Sequence, residues 1–166
     1  MKDGETRTGA ADRRIVGWCE WVSLPGLGVD AVKAKLDTGA KTSALHAWDE
    51  EVFEIDELPW IRFCAHPFQQ DDETVVRCAA PLTDCRLVTN PGGTRERRHV
   101  ITTILEIGGA HWPIELTLTN RDAMGFRMLI GREAMRDRLI VDPRASYRTG
   151  VRTRATGSQP CLRMTE

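Results

Sequence analysis

The sequence predicts a mostly β domain that closes with one short helix. Three observations carry that prediction. Apolar and polar residues alternate in several runs, most cleanly in "VDAVKAKLD" and "WPIELTLT". Turn formers separate those runs, as in "PGLG" and "NPGG". The convincing helical pattern, "REAMRDRL", appears only after Gly131, near the end of the chain.

Taken in order, residues 1–14 are small and charged without periodicity and read as a disordered leader. "IVGWCEWVSL" (Ile15–Leu24) reads as one strand ending at "PGLG". "VDAVKAKLD" sets Val32, Ala34 and Leu36 on one face and Lys33, Lys35 and Asp37 on the other, so a half-buried strand delivers Asp37 at its end. Residues 48–73 interleave apolar and acidic positions and suggest short strands and loops. "CRLVTNPGGTRERRHVITTILEI" reads as a long hairpin hinged at Asn90–Gly93. "WPIELTLT" puts Trp112, Ile114, Leu116 and Leu118 on one side. "RMLIG" is a short apolar strand before the helix, and "IVDP" closes the domain, expected to span residues 15–147. Residues 148–166 are rich in Arg, Thr, Gly and Ser and read as a flexible tail.

A chain of 166 residues suits one domain with a real core. Its 23 basic and 24 acidic residues leave a net charge of -1, which argues against a nucleic-acid partner. The charges are clustered, with acids between Asp49 and Glu57 and arginines at Arg86, Arg95, Arg97 and Arg98. Such clusters read first as solvated faces. Five cysteines, an odd number without C-x-x-C spacing, and the lack of a signal peptide or long apolar span predict a cytoplasmic protein with free thiols and no membrane partner.

Chemistry concentrates in "AKLDTGAKTSAL" (Ala34–Leu45). It is no phosphate loop: Ala40 separates Gly39 from Lys41, the upstream glycine is missing, and no long helix follows. A plain polar turn is the bland reading, since Asp, Thr and Gly all favour turns. An aspartic peptidase asks for more: a carboxylate at the end of a buried strand, a Gly where the chain turns sharply, and a small residue to keep the floor open. Asp37, Gly39 and Ala40 meet those conditions. "MLIGREAM" (Met128–Met135) adds an apolar strand, a Gly and an Arg that opens a helix.

That pair of signatures resembles the D-T-G loop and the G-R motif of retropepsins. From "IVGWCEWVSLP" through "KLDTGAKTSALHA", "TRERRHVITTILEIGG" and "LTNRDAMGFRMLIGREAM", the chain is similar to one retropepsin-like bacterial family. Its historical label is "ATP-dependent zinc protease", and its members are encoded beside, or fused to, ATP-grasp ligases of the RimK type. The resemblance implies an all-β, retropepsin-like closed barrel and an aspartic peptidase acting on peptide or protein substrates. Asp37 would be catalytic, Thr38, Gly39 and Ala40 would form the active-site loop, and Gly131 and Arg132 would support it. A RimK-type ligase is the implied partner, and no cofactor is called for.

An aspartic peptidase needs two carboxylates, and this chain has one D-T-G. Activity therefore calls for a symmetric homodimer in which Asp37 meets its mate. Thr38 is expected to hydrogen-bond across the two-fold axis, and the hairpin tip at Pro91, Gly92 and Gly93 to act as a flap touching substrate. Well-known retropepsins carry an acid after D-T-G-A that anchors the motif arginine. Lys41 stands there instead, so Arg132 is expected to find another acid. Lys41, with Lys33 and Lys35, is expected to favour an acidic substrate such as a glutamate tail. The rival readings are a non-catalytic peptide-binding module serving a ligase, and a zinc hydrolase built on Cys64, His66 and Cys78 or Cys85. No H-E-x-x-H supports the second, and no metal is expected.

Overall fold

The computed structural model describes residues 13–89, 92–120 and 125–150. Eleven strands and one short helix are present among them: β1 (Arg14–Gly17), β2 (Cys19–Leu24), β3 (Val29–Asp37), β4 (Ser43–His46), β5 (Trp48–Ile55), β6 (Leu58–Ala65), β7 (Val76–Thr89), β8 (Arg95–Ile107), β9 (Ala110–Thr119), β10 (Met128–Gly131), α1 (Arg132–Met135) and β11 (Leu139–Asp142). Six strands close a barrel in the order β2-β3-β10-β4-β9-β8, and Ser23 opposite Glu106 joins β8 back to β2. Strands β7, β6 and β5 continue the sheet outward from β8. No helix among the described residues is long and apolar enough to cross a membrane.

The barrel forms where the alternation is cleanest. Val29, Val32, Ala34 and Leu36 of β3 point inward, and Trp112, Ile114, Leu116 and Leu118 of β9 meet them in one apolar core. Met128 and Ile130 of β10 are fully buried between β3 and β4. Burial on this scale is the main favourable term in folding.

Three sequence expectations are corrected. The single strand from Ile15 to Leu24 breaks at Trp18. β1 turns away to pair in parallel with β11, Ile15 opposite Ile140, while β2 enters the barrel against β3. Gly17 permits the break: a Cβ there would lie 2.5 Å from the Ala145 carbonyl oxygen. The helix after Gly131 lasts one turn, not the whole of "REAMRDRL". Asp137 adopts a φ of 61° and Leu139 is taken into β11, so strand pairing overrides a good helical pattern. The ambiguous segment beyond residue 48 begins with a hairpin, β5 with β6, which shifts register between Trp48 and Glu51 and turns at Asp56 and Glu57 with φ values of 50° and 63°. Two successive positive φ values mark a tight hairpin turn whose twist suits the strands.

The ends of the domain are held by Glu20, which is fully buried. Its Oε1 accepts the amides of Gly17 at 2.7 Å and Arg148 at 2.8 Å. Its Oε2 accepts the Thr149 amide at 3.2 Å and the Thr149 hydroxyl at 2.8 Å. Tyr147 stacks on Trp21, their ring centroids 6.4 Å apart, with the Lys33 ammonium 5.6 Å from each ring. Arg148 and Thr149, assigned to the tail from sequence, are thus tied to the barrel; residues 151–166 lie outside the described residues, as do residues 1–12 of the expected leader.

Candidate active site

Asp37 ends β3 opposite Gly131 of the parallel strand β10. Beyond it the chain turns at once, because Asp37 Oδ1 accepts the amides of Gly39 at 3.0 Å and Ala40 at 3.2 Å. The Asp37 carbonyl takes the Ala40 amide as well, at 3.3 Å. One carboxylate oxygen is therefore spent on fixing the loop. The other, Oδ2, has the Lys35 ammonium 4.0 Å away, and the side chain keeps 30% of its surface exposed.

The second signature grips this loop from beneath. The Arg132 amide donates to the Ala40 carbonyl at 2.8 Å and the Glu133 amide to that of Lys41 at 3.2 Å. Ser43 Oγ accepts the Gly131 amide at 3.1 Å, and the Ser43 carbonyl accepts the Thr117 hydroxyl at 3.0 Å. Gly131 has no room for a side chain: a Cβ would sit 2.6 Å from the Thr42 carbonyl carbon and 2.7 Å from the Lys41 oxygen, both backbone. Gly131→Ala is expected to cost about 1–3 kcal/mol of stability, since backbone cannot rotate aside. Thermal melting checks the stability, and the same variant should lose activity by displacing the Asp37 loop.

Among the described residues Arg132 meets a backbone carbonyl and not an acid. Its Nη1 donates to the Gly39 carbonyl at 3.0 Å, so the arginine fixes the loop backbone directly. The acid that Lys41 meets is Glu133, at 3.8 Å. An arginine with a carbonyl partner does not need the acid that Lys41 replaces.

Above the loop, β7 and β8 form one wall of a cleft of about 610 Å³ whose floor includes Asp37, Gly39, Ala40 and Lys41. Leu87, Val88 and Thr89 from β7 and the buried Arg98 from β8 line that wall. Thr38 is exposed and is not among the lining residues, and Gly92 and Gly93 stand at the exposed hairpin tip beyond them. Asn90 and Pro91 of the expected hinge lie outside the described residues. Lys33 also stays out of the cleft, lying over Trp21 and Tyr147.

The arginine cluster is not simply a solvated face. Arg86 binds Glu115 through two nitrogens, at 2.7 and 2.9 Å, and Asp84 through Nε at 2.7 Å. Arg98, only 6% exposed, holds Glu96 Oε2 at 3.0 Å. Alternation in "CRLVT" was the available signal that Arg86 and Val88 share a face; nothing in the sequence announced the burial of Arg98.

The Arg86 guanidinium holds the carboxyls of Glu115 and Asp84 below their ordinary values, with the Cys85 amide adding to the effect on Asp84. Because the folded values are depressed, this stabilisation is present above the ordinary carboxylate range and fades as pH falls through the lowered values. Glu115→Gln is expected to lower the urea midpoint at neutral pH by an amount worth about 1 kcal/mol, given the exposure of the pair. Its gap from wild type should close on acidification below the Glu115 ordinary value of 4.5.

Among the described residues no three His, Cys, Asp or Glu side chains are placed to hold a metal ion. His66 stacks on Trp48 at 4.1 Å with Nδ1 against the Thr74 carbonyl, and burial pushes the Cys78 thiol up to about 12, with Cys64 adding to it. Cys85 is exposed on β7, opposite His99.

A strand-borne carboxylate in a D-T-G turn, locked by a Gly-Arg strand and helix on a closed barrel, agrees with what comparison finds. The family model described as RimB-like, retropepsin-like aspartic endopeptidase RimB, matches residues 15–152. The chain belongs to the RimB-like family. A segment of similar sequence occurs in curated proteins named "Probable alpha-L-glutamate ligase". One, from Desulfotalea psychrophila, is 53% identical over 131 residues, covering 79% of this chain and 28% of that protein. Another, from Parasynechococcus marenigrum, is 54% identical over 136 residues, covering 82% of this chain and 29% of that protein. The RimB-like chain thus spans less than a third of the length of these relatives. Among solved structures, a Legionella pneumophila protein of unknown function is similar, with a TM-score of 0.69 and 28% identity, covering 81% of this chain and 97% of that one.

Proposed function

We propose that this chain is an aspartic-type endopeptidase that works as a symmetric homodimer. The observation that carries the reading is Asp37, a part-exposed carboxylate fixed by two loop amides at the floor of a cleft of about 610 Å³. A single carboxylate cannot both activate water and polarise a carbonyl, so the second comes from the same residue of another copy. Two carboxyls held in contact share one proton, because both cannot ionise. The ionised one takes a proton from the attacking water as it adds to the scissile carbonyl. The protonated one gives its proton to the carbonyl oxygen. The pair then gives its proton to the amide nitrogen as the C–N bond breaks, a hydroxyl of the diol returns one as the new carboxyl forms, and the pair again shares one proton.

In this reading Thr38, exposed at the turn, bonds across the two-fold axis and fixes the dyad. The β7–β8 hairpin closes over substrate, with Gly92 and Gly93 giving its tip freedom to approach the peptide backbone. The substrates are peptides carrying glutamate, cut beside a RimK-type ligase, in the cytoplasm. The ligase names of the relatives support that part, and so does Lys41, whose ion pair with Glu133 is exposed and open to exchange with a substrate carboxylate. Those names also favour the rival reading, a module that only binds peptide for a ligase.

Sedimentation, with cleavage of matched glutamate-rich and neutral peptides, tests the proposal. A dimer cutting the glutamate peptide at the higher kcat/KM is expected. A monomer that binds peptide and cuts none selects the rival.

A further inference from the structure

The end of the sheet that projects from the barrel carries an apolar face with nothing of this chain packed on it among the described residues. Phe53, Trp60 and Pro81 lie side by side across β5, β6 and β7, and Ile55 opposes Leu58 next to the turn. Strand alternation puts these five on one face and Val52, Ile61 and Ala80 on the other. The second face reaches the core on β6 and β7, with Ile61 fully buried and Ala80 4% exposed, while Val52 on the outer strand stays 48% exposed. The first faces water: Leu58 is 62% and Ile55 41% exposed, while Phe53 and Trp60 are half-buried. Five neighbouring apolar residues on an outward strand face exceed the scattered exposure that an ordinary surface shows.

Charge indicates what covers it. Asp56 and Glu57 form the turn at the tip, with Glu54 beside them. Of the cations on the face, Arg62 lies over the Phe53 ring and is paired with Glu51 at 2.9 Å, and Arg77 stands opposite Cys64, at the far end of β6 from the turn, so neither offsets those acids. A second copy packed here about a two-fold axis parallel to the strands would bring Asp56 and Glu57 against their own kind, which opposes that association. A segment with lysines or arginines beside an apolar anchor meets no such penalty. In the curated relatives more than two thirds of the protein lies outside the matched segment, so this domain has polypeptide neighbours there.

We propose that the outer face of the β5–β6 hairpin is a docking site for a basic polypeptide segment. An apolar side chain seats among Ile55, Leu58 and Trp60, and flanking cations face Asp56 and Glu57. The site is separate from the Asp37 cleft, which none of these residues lines, and it stands whether or not the chain cleaves peptides.

The test uses the full chain and three synthetic peptides: a lysine-flanked Leu-Trp peptide, its glutamate-flanked counterpart, and a lysine-flanked version with serine for Leu and Trp. Calorimetry reads affinity and amide NMR shifts read location. The first peptide should bind at least about tenfold more tightly than the other two, weaken with salt, and shift amides of residues 51–62. Leu58→Asn and Ile55→Asn, both at exposed positions, should each weaken it about tenfold without moving the melting temperature, and Asp37→Asn should bind as wild type does. Equal binding of the glutamate peptide, shifts centred on the cleft, or full affinity in both asparagine variants would overturn the proposal. Self-association of the chain that Leu58→Asn abolishes would also overturn it, in favour of a second copy.

Discussion

Asp37→Asn is expected to remove cleavage almost entirely, by roughly three orders of magnitude or more, while the protein melts close to wild type. The separation of the two effects follows from how the carboxylate is used. Its Oδ1 accepts the Gly39 and Ala40 amides, and an asparagine oxygen can accept the same two bonds. The turn therefore survives. What disappears is the second carboxylate oxygen, which in the proposed dimer would face its mate. Mixing experiments sharpen the test. If two Asp37 residues make one site, exchange of wild type with an equal amount of Asp37→Asn leaves about a quarter of the dimers with both carboxylates. Activity should then fall with the square of the wild-type fraction. A linear fall would mean that each chain carries a complete site, and unchanged activity in the pure variant would remove Asp37 from the chemistry.

The same residue shows why part of this molecule was legible in sequence. β3 and β10 are written in side-chain alternation and apolar runs, and the loop between β3 and β4 in residue types that only tight turns favour. Gly131 belongs with these, since its role rests on a missing side chain. What was not legible depends on partners far away in the chain. Nothing local says that β1 leaves β2 at Trp18, because the cause is β11, more than a hundred residues on. Nothing local ends the helix after Met135, for the same reason. Arg132 was expected to seek an acid, yet a backbone carbonyl 93 residues earlier satisfies it. Arg98 reads like its exposed neighbours until Glu96 and the cleft wall enclose it. Charged residues disclose their role only through their partners, whereas apolar periodicity discloses a face at once.

Glu20 is the strongest case of that kind, and replacing it should give the largest loss of stability in the chain outside the apolar core. Glu20→Ala removes the acceptor for three amides and a hydroxyl; the carboxylate itself has no exposed surface, and its bonds to Arg148 and Thr149 are part-buried. Unpaired buried donors each cost on the order of 1–3 kcal/mol, and relaxation at the C-terminal side will recover part of that. A net loss of about 3–5 kcal/mol is expected, which lowers the melting temperature by roughly ten degrees for a domain of this size. Glu20→Gln should fall between, because its amide group turns a donor toward one of the donors it must satisfy. Hydrogen exchange locates the effect: the amides of Gly17, Arg148 and Thr149 should lose protection first. The damage should then spread toward the site along a short path. Gly17 leads to Trp18, whose carbonyl accepts the Leu36 amide at 2.9 Å, one residue before Asp37. A Glu20→Ala protein that melts with wild type and protects those three amides would mean that this carboxylate fastens nothing. The start of β2 and the chain at Tyr147 would then be held by the Trp21–Tyr147 stack, the Tyr147 amide on the Cys19 carbonyl at 2.9 Å and the pairing of β2 with β3.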